Sequence, residues 1–466
     1  MSDPHYHSVR FDVGLCDGCL ACVRACPTHA VRVRGGTALM LEDRCIDCGE
    51  CFKVCARRAV RSLTGSLAEL SKFDYTVAVP SPALYTQFDS AVAPAVILEA
   101  LRRIGFDDAV GMSPACAAAS VSIEQYLDEF RGPHPVISSF CPTVVRLVQV
   151  KYPTLLDQLL PMLSPRDVTA REVRRHKVEE TGLPPERIGV VYVTPCPSKM
   201  VSLVDHPGMD RSYFDSAVSI SDLFLHLMTA VAQIEADGRV PVETESATGL
   251  SWSLSTGLAG SLPAEDTLAV AGLANVVRIL DDIEKGKLGR YTFVDCHACP
   301  EGCVSGVLTV EDPYVARARA IRLIRTLGPD RDLDRAQITR EYESGAFRMP
   351  HRVNARPMRP LHDDIAVAIA RMNERDRLVS SLPRIDCGAC GAPTCVTFAD
   401  DVVRGEVTQE ACVFIREQRI EAMVKELAAL VRRQTPPTVG GDEAQPAAAG
   451  GSMRSAGTRS PAPGRD

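Results

Sequence analysis

The sequence predicts an α/β protein in three cysteine-bearing parts: a small N-terminal domain, a central α/β block and a small, mostly helical C-terminal domain. The first observation behind this is the distribution of the 18 cysteines: eight lie from Cys16 to Cys55, six from Cys116 to Cys303 and four from Cys387 to Cys412. The second is the alternation of the central block. Tyr75–Val79, Pro135–Ser138, Arg187–Thr194 and Tyr291–Val294 are short apolar runs of strand type. Between them, Ala95–Ile104, Val144–Tyr152, Ser219–Ile234 and Ala274–Lys287 show the three-to-four spacing of amphipathic helices. Such alternation predicts parallel sheets with helices on both faces. The third is the tail from Gln434 to Asp466, where 11 of 33 residues are Gly or Pro. It has too little apolar surface to offset ordering entropy and is expected to be disordered.

The composition fits a globular chain. Of 466 residues, 45% are hydrophobic and 24% charged, which excludes a wholly disordered protein. A net charge of −7 with both signs interspersed argues against a nucleic-acid grip. The longest apolar run, Ala91–Leu98, is far short of the ~18 residues a membrane helix needs. The first fifteen residues hold charges and histidines but no apolar segment, so no signal peptide is expected. A cysteine-rich chain of this kind is expected in a reducing compartment, the cytoplasm, where thiols bind metal or do chemistry more often than they cross-link.

In the N-terminal domain, Cys16, Cys19, Cys22 and Cys26 precede Pro27 in the spacing C-x2-C-x2-C-x3-C-P. Cys45, Cys48, Cys51 and Cys55 repeat it, with Ala56 in the proline's place. Three thiolates on one tight loop fit three irons of a cubane, and the fourth cysteine reaches the cubane of the other loop. Cys16, Cys19, Cys22 and Cys55 are therefore expected to hold one 4Fe-4S cluster, and Cys45, Cys48, Cys51 and Cys26 a second. Zinc or disulfides are the competing readings of a single spacing; its doubling favours a ferredoxin-like domain with two clusters.

At the other end, Cys387, Cys390 and Cys395 stand in Asp-Cys-Gly-Ala-Cys-Gly-Ala-Pro-Thr-Cys, followed by a seventeen-residue stretch, expected to be helical, that ends at Cys412. Gly388 and Gly391 let the backbone wrap closely round a cluster. The segment resembles the small four-cysteine 4Fe-4S domain of Rnf electron-transport and corrinoid iron–sulfur proteins; zinc is the alternative on spacing alone. Beyond it, Ile415–Arg433 places Ile420, Met423, Leu427 and Leu430 on one helical face. That face has too few heptads for a coiled coil and is expected to pack on its own domain.

The central block holds three motifs: Ser138-Ser139-Phe140-Cys141-Pro142, Thr194-Pro195-Cys196-Pro197-Ser198-Lys199 and Ala298-Cys299-Pro300-Glu301-Gly302-Cys303. Strands run directly into Cys141, Cys196 and Cys299, which brings thiols to the carboxyl edge of a sheet, where open α/β folds bind ligands. In this order, and with Gly272-Leu273-Ala274-Asn275 ahead of the third, the motifs resemble those of the FeFe-hydrogenase large subunit over roughly residues 72–310. The resemblance implies a two-lobed domain holding the H-cluster, a 4Fe-4S cubane joined through one thiolate to a diiron unit bearing CO and cyanide. Its cubane ligands fall on Cys141, Cys196, Cys299 and Cys303, with Cys303 as the bridge. Lys199 matches a lysine that hydrogen-bonds a diiron cyanide, and Pro80 and Ser81 match a loop against the other cyanide. The domains implied are 1–65, 72–350, a linker 351–380, 381–433 and the tail 434–466.

The departures from that family are as informative. Phe140 stands where active members place a proton-donating cysteine, and Ser202 where the resemblance implies a glutamate of the proton path. His297 replaces a methionine, and Ser305-Gly306-Val307 replaces a glycine run. Such changes resemble those of regulatory branches that also share the C-terminal four-cysteine domain. The expectation is a slow or regulatory hydrogenase-like protein, oxygen-sensitive, sensing hydrogen or redox state, whose three flanking cubanes carry electrons outward. Its partners would be H2, protons, and a redox protein such as a ferredoxin or a separate signalling kinase or phosphatase. A ferredoxin-linked hydrogenase with an unusual proton route, and a non-catalytic protein of the same fold without the diiron unit, are the alternatives. Cys116 and Cys296 are left over; as inert core thiols or, with His297, as substitute proton groups, they stay open.

Overall fold

The computed structural model describes residues 6–238, 245–262, 266–330 and 333–434. The chain forms two compact units, Met1–Val413 and Phe414–Asp466. Apart from Gln434, the tail expected to be disordered lies outside the described residues. No helix of the described residues is long and apolar enough to cross a membrane.

In the N-terminal part, β1 (Val9–Phe11), β2 (Val31–Arg34), β3 (Thr37–Met40) and β4 (Val60–Ser62) form two antiparallel pairs, β1 with β4 and β2 with β3. The doubled cysteine motif produces a doubled structure. Each cysteine loop turns into a short helix, Ala21–Ala25 or Glu50–Lys53, through a left-handed residue: Leu20 at φ 67° and Gly49 at φ 78°. The last sulfur of each loop then accepts a backbone N–H four residues on, Ala30 to Cys26 at 3.1 Å and Ala59 to Cys55 at 3.2 Å.

Among the described residues, the central block is built on seven parallel strands: β5 (Tyr75–Pro80), β6 (Asp108–Ala109), β7 (Val136–Ile137), β8 (Ile188–Thr194), β9 (Ser216–Ser219), β10 (Thr267–Ala271) and β11 (Phe293–His297). They form two sheets, β6-β5-β8-β9 and β10-β11-β7, giving the two lobes. The apolar runs form where expected: β8 is buried at every position, as a strand covered on both faces must be. The helices Pro94–Arg103, Pro142–Lys151, Ile220–Asp237 and Leu273–Glu284 match the expected amphipathic stretches. Helices Ser113–Glu129, Pro165–Thr181 and Pro313–Leu327, together with β9 and β10, were not read from the sequence.

One local expectation is corrected. The stretch after Cys395 is α-helical only over Cys395–Val403; Gly405, at φ 78°, breaks it, and a loop with one 3-10 turn, Gln409–Ala411, carries the chain to Cys412. Within the span 351–380 lies the start of a helix, Ile365–Ser381, capped by Asp364, whose side chain accepts from the N–H groups of Ala366 and Val367. This helix packs against Cys395–Val403. In the second unit, helix Val413–Gln434 carries Ile420, Met423, Leu427 and Leu430 at three-to-four spacing.

Candidate metal centre

The sheets deliver the central cysteines as their motifs suggest. Cys141 follows β7 and precedes helix Pro142–Lys151; Cys196 follows β8 and precedes helix Pro197–Val201. Cys299 and Cys303 lie on the loop after β11, where Gly302 adopts φ 82° against the backbone of Leu254. A side chain on Gly302 would collide with that backbone, so the return of Cys303 toward Cys196 needs glycine. The sulfurs of Cys141, Cys196, Cys299 and Cys303 are close enough to influence one another electrostatically.

Beside Cys141 and Cys303 lies a cavity of about 620 Å³, part of it open to solvent. Its walls include Ser81, Cys116, Phe140, Lys199, Cys296 and His297. Pro80, the last residue of β5, is buried behind Ser81, whose hydroxyl accepts the N–H of Ala83. Lys199 donates from Nζ to the Cys303 sulfur at 3.1 Å. His297 Nε2 lies 3.1 Å from Asp295 Oδ2, and the imidazole also hydrogen-bonds Cys303.

The electrostatics single out Cys303. Burial raises a thiol's pKa, as it does at Cys196, pushed up to about 11, and far more at Cys299 and Cys116. At Cys303 burial acts the same way, but Lys199 and His297 outweigh it and bring the thiol down to about 6. Burial also works against the charge on Lys199, and Cys303, Tyr192 and Cys196 overcome it, so the ammonium is held well above its usual range. Burial opposes the charge on His297 likewise, and Asp295 and Cys303 reverse the sign. The Cys303 sulfur, a partly buried ammonium and an imidazole thus meet at one edge of the cavity.

Ser202 lies outside that cavity. Its hydroxyl donates to Lys199 O at 2.8 Å and accepts from Arg166 Nη2 at 2.7 Å, on the wall of a second cavity shared by Phe140, Ser164, Arg166 and His206. Phe140, Ser164 and Arg166 border both cavities. The Phe140 ring lies 5.0 Å from that of Trp252. Asp295 was missed from the sequence; an acidic residue two positions before His297, at the end of an apolar strand, was the available signal. Arg166 gave none, since it reads as one of many charges on a polar helix.

The remaining cysteines gather in sets. One cavity is lined by Cys16, Cys19, Cys22 and Cys55, another by Cys26, Cys45, Cys48 and Cys51. At the C-terminal end, Cys387, Cys390 and Cys412 interact electrostatically. Cys395 opens its helix, with its N–H donated to Asp386 at 2.6 Å.

Comparison with known proteins decides the family. The profile described as "Iron only hydrogenase large subunit, C-terminal domain" matches residues 74–263 and 263–307, half of the chain. The chain belongs to the iron-only hydrogenase large-subunit family. Flanking that region, a 4Fe-4S dicluster domain matches residues 8–56, and a domain described as a putative Fe-S cluster matches 382–414. The NADP-reducing hydrogenase subunit HndD of Solidesulfovibrio fructosivorans is 26% identical over 229 residues, 41% of this chain and 39% of the relative. Iron hydrogenase 1 of Clostridium pasteurianum is 30% identical over 119 residues, 25% of this chain and 20% of the relative. The chain therefore matches well under two thirds of either hydrogenase. An FeFe-hydrogenase structure from Chlamydomonas reinhardtii aligns with 62% of this chain and 97% of its own at 17% identity, with a TM-score of 0.46.

Proposed function

We propose that this iron-only hydrogenase-family chain is a redox protein of low hydrogen turnover, suited to sensing hydrogen or redox state, and that electrons reach its centre through flanking 4Fe-4S clusters. Cys141, Cys196, Cys299 and Cys303 would hold the cubane of an H-cluster. The four convergent sulfurs suit such a group, since soft thiolates select iron–sulfur clusters. The adjoining cavity, with the partly buried Lys199 ammonium on its wall, is suited to an anionic, cyanide-bearing diiron unit. When bound, that unit supplies the metal site at which hydrogen is split or formed. Lys199 and Ser81 then orient and hold it by hydrogen bonding, with Pro80 behind, and Trp252 and Phe140 exclude water on one side. Cys16, Cys19, Cys22 and Cys55, then Cys45, Cys48, Cys51 and Cys26, and finally Cys387, Cys390, Cys395 and Cys412 would hold the three other cubanes.

The observation that carries the low-turnover reading is Phe140. Its ring stands between the two cavities where a proton donor would be needed, and phenyl carbons carry no ionisable proton. Ser202, which is tied to Arg166 and Lys199, offers no carboxylate behind it. One observation favours the second reading, a working hydrogenase with another proton route: the His297–Asp295 pair faces the cavity beside Cys303.

The test is the infrared spectrum of anaerobically matured protein, together with dye-linked hydrogen turnover. CO and cyanide bands with slow turnover support the proposal. Bands with fast turnover favour the working hydrogenase. Absence of the bands after maturation indicates a protein of this fold that holds cubanes alone.

A further inference from the structure

The C-terminal cysteine site is joined to the first N-terminal one by an ion-paired seam. Arg32 donates from Nε to Asp401 Oδ2 at 2.6 Å and from Nη2 to Oδ1 at 3.1 Å, and the two side chains are 1% and 3% exposed. Arg34 adds Nη2 to Asp401 at 2.5 Å. Around this clamp the contacts reach the cysteines themselves. Arg34 Nη1 donates to Cys390 O at 3.0 Å, Arg24 Nη2 to Cys387 O at 3.2 Å, and Val33 N–H to Gly391 O at 2.9 Å. Val33 also lines the cavity of Cys16, Cys19, Cys22 and Cys55. Gly391 is at φ 78°, and any side chain there would run into Val33 O, so its loop and strand β2 approach as closely as backbones allow.

The opposite face of the N-terminal domain meets the central block. Cys48 packs in the same apolar cluster as Cys141 and Ala298, and a side chain on Gly49 would strike Val307. The Cys26–Cys45–Cys48–Cys51 site is therefore the inner one and the Cys16–Cys19–Cys22–Cys55 site the outer.

We propose that the C-terminal site is the outermost station of a single line of four, exchanging electrons with the Cys16–Cys19–Cys22–Cys55 site and reaching the central site only through it and the Cys45 site. The inference rests on the iron–sulfur reading above and adds the order and the port of entry. A reduced one-electron carrier protein gives one electron to the Cys387 station. Each station is then reduced by one electron as its outer neighbour is oxidised by one, and no bond forms or breaks. The reverse order takes electrons out. A buried ion pair is weak evidence for stability, yet it fixes geometry, which is what two redox stations in register need.

The order is tested on full-length chain loaded with cubanes alone, so no hydrogen chemistry enters. Bleaching of the iron–sulfur absorbance is followed in stopped flow with a reduced ferredoxin-type carrier and, separately, with reduced methyl viologen. Cys387→Ser removes the outer station; Asp401→Ala keeps its four cysteines but breaks the clamp. With either change, carrier-driven bleaching is expected to slow by about tenfold or more, the span over which docked encounter rates vary among variants of one interface. In the fully reduced Asp401→Ala protein, the electron paramagnetic resonance broadening between neighbouring clusters is also expected to weaken. Carrier-driven bleaching at the wild-type rate in Cys387→Ser overturns the order. Should that variant fail to bleach with viologen, its other clusters are not loaded and Asp401→Ala decides: unchanged carrier-driven rate and unchanged broadening overturn the proposal. Failure of the hydrogenase reading would show in the infrared spectrum and leave these rates untouched.

Discussion

The ring of Phe140 packs against that of Trp252 at a centroid distance of 5.0 Å and a tilt of 46°, closing the cavity beside Cys303 with two aromatic side chains. Phe140 itself offers no ionisable proton at the wall it shares with Ser164 and Arg166. Phe140→Cys should therefore raise dye-linked hydrogen turnover, by up to about 10²-fold, the worth of one positioned acid–base group. The lost ring should cost about 1–3 kcal/mol of stability, less than for a fully buried ring because Phe140 is only partly buried and sulfur refills some of the space. Unchanged turnover in a variant with an intact cluster spectrum would place the barrier elsewhere.

Lys199 and Cys303 make a separate, cluster-independent expectation. In metal-free protein the Cys303 thiol, brought down to about 6, should be alkylated at pH values where its neighbours stay protonated. The sign follows from charge: removing the ammonium leaves burial less opposed, so the thiolate becomes costlier and the titration moves up. Lys199→Met should shift the half-point of Cys303 alkylation, read by peptide mass spectrometry, upward by about 1–3 pH units. A half-point that does not move would mean that His297 alone holds the thiolate.

The proposed function assigns sixteen of the 18 cysteines to four sets of four, so anaerobically reconstituted protein should hold about 16 iron atoms, or about 18 with a diiron unit. Cys387→Ser should remove roughly four of them and leave the signals of the dicluster domain in place. Loss of every cluster together would show instead that the seam through Asp401 is required for folding.

What the sequence made legible is what local spacing controls. The doubled cysteine motif implies two pseudo-equivalent loops; one cavity is lined by Cys55 together with Cys16, Cys19 and Cys22, the other by Cys26 together with Cys45, Cys48 and Cys51. Strands ending in Cys141 and Cys196 were readable because apolar runs and cysteine-proline turns are both local. Arg32 and Asp401 were not: they lie 369 positions apart, on segments that each read as ordinary polar surface. Helix Pro165–Thr181 was missed because its buried face includes Arg166, Asp167 and Thr169, so the apolar period is broken where the chain needs polar groups. The early end of helix Cys395–Val403 was available in the sequence, at Gly405, and went unread.

The remaining question is which group, if any, stands in for the missing donor. Cys116, Cys296 and His297 all line the cavity, so position does not separate them. Partners do. Cys116 and Cys296 are 2% and 1% exposed within apolar clusters, where burial holds both thiols far above neutrality, and a thiol that cannot ionise gives up its proton slowly. His297 is hydrogen-bonded to a carboxylate, Asp295, itself accepting from Ser138 at 3.0 Å, so its ring is held in one orientation on the cavity wall. Orientation by a buried carboxylate is how acid–base histidines are held in other enzymes. His297→Met should therefore lower residual hydrogen turnover by about 10²-fold while the infrared bands persist, and Cys116→Ala and Cys296→Ala should change it by less. Asp295→Asn supplies the second readout: with the ring still present but less firmly held, turnover should fall and its pH profile should move. If Cys116→Ala abolished turnover and His297→Met did not, the buried thiol would be the donor and the His297–Asp295 pair a support for the loop that carries Cys299 and Cys303.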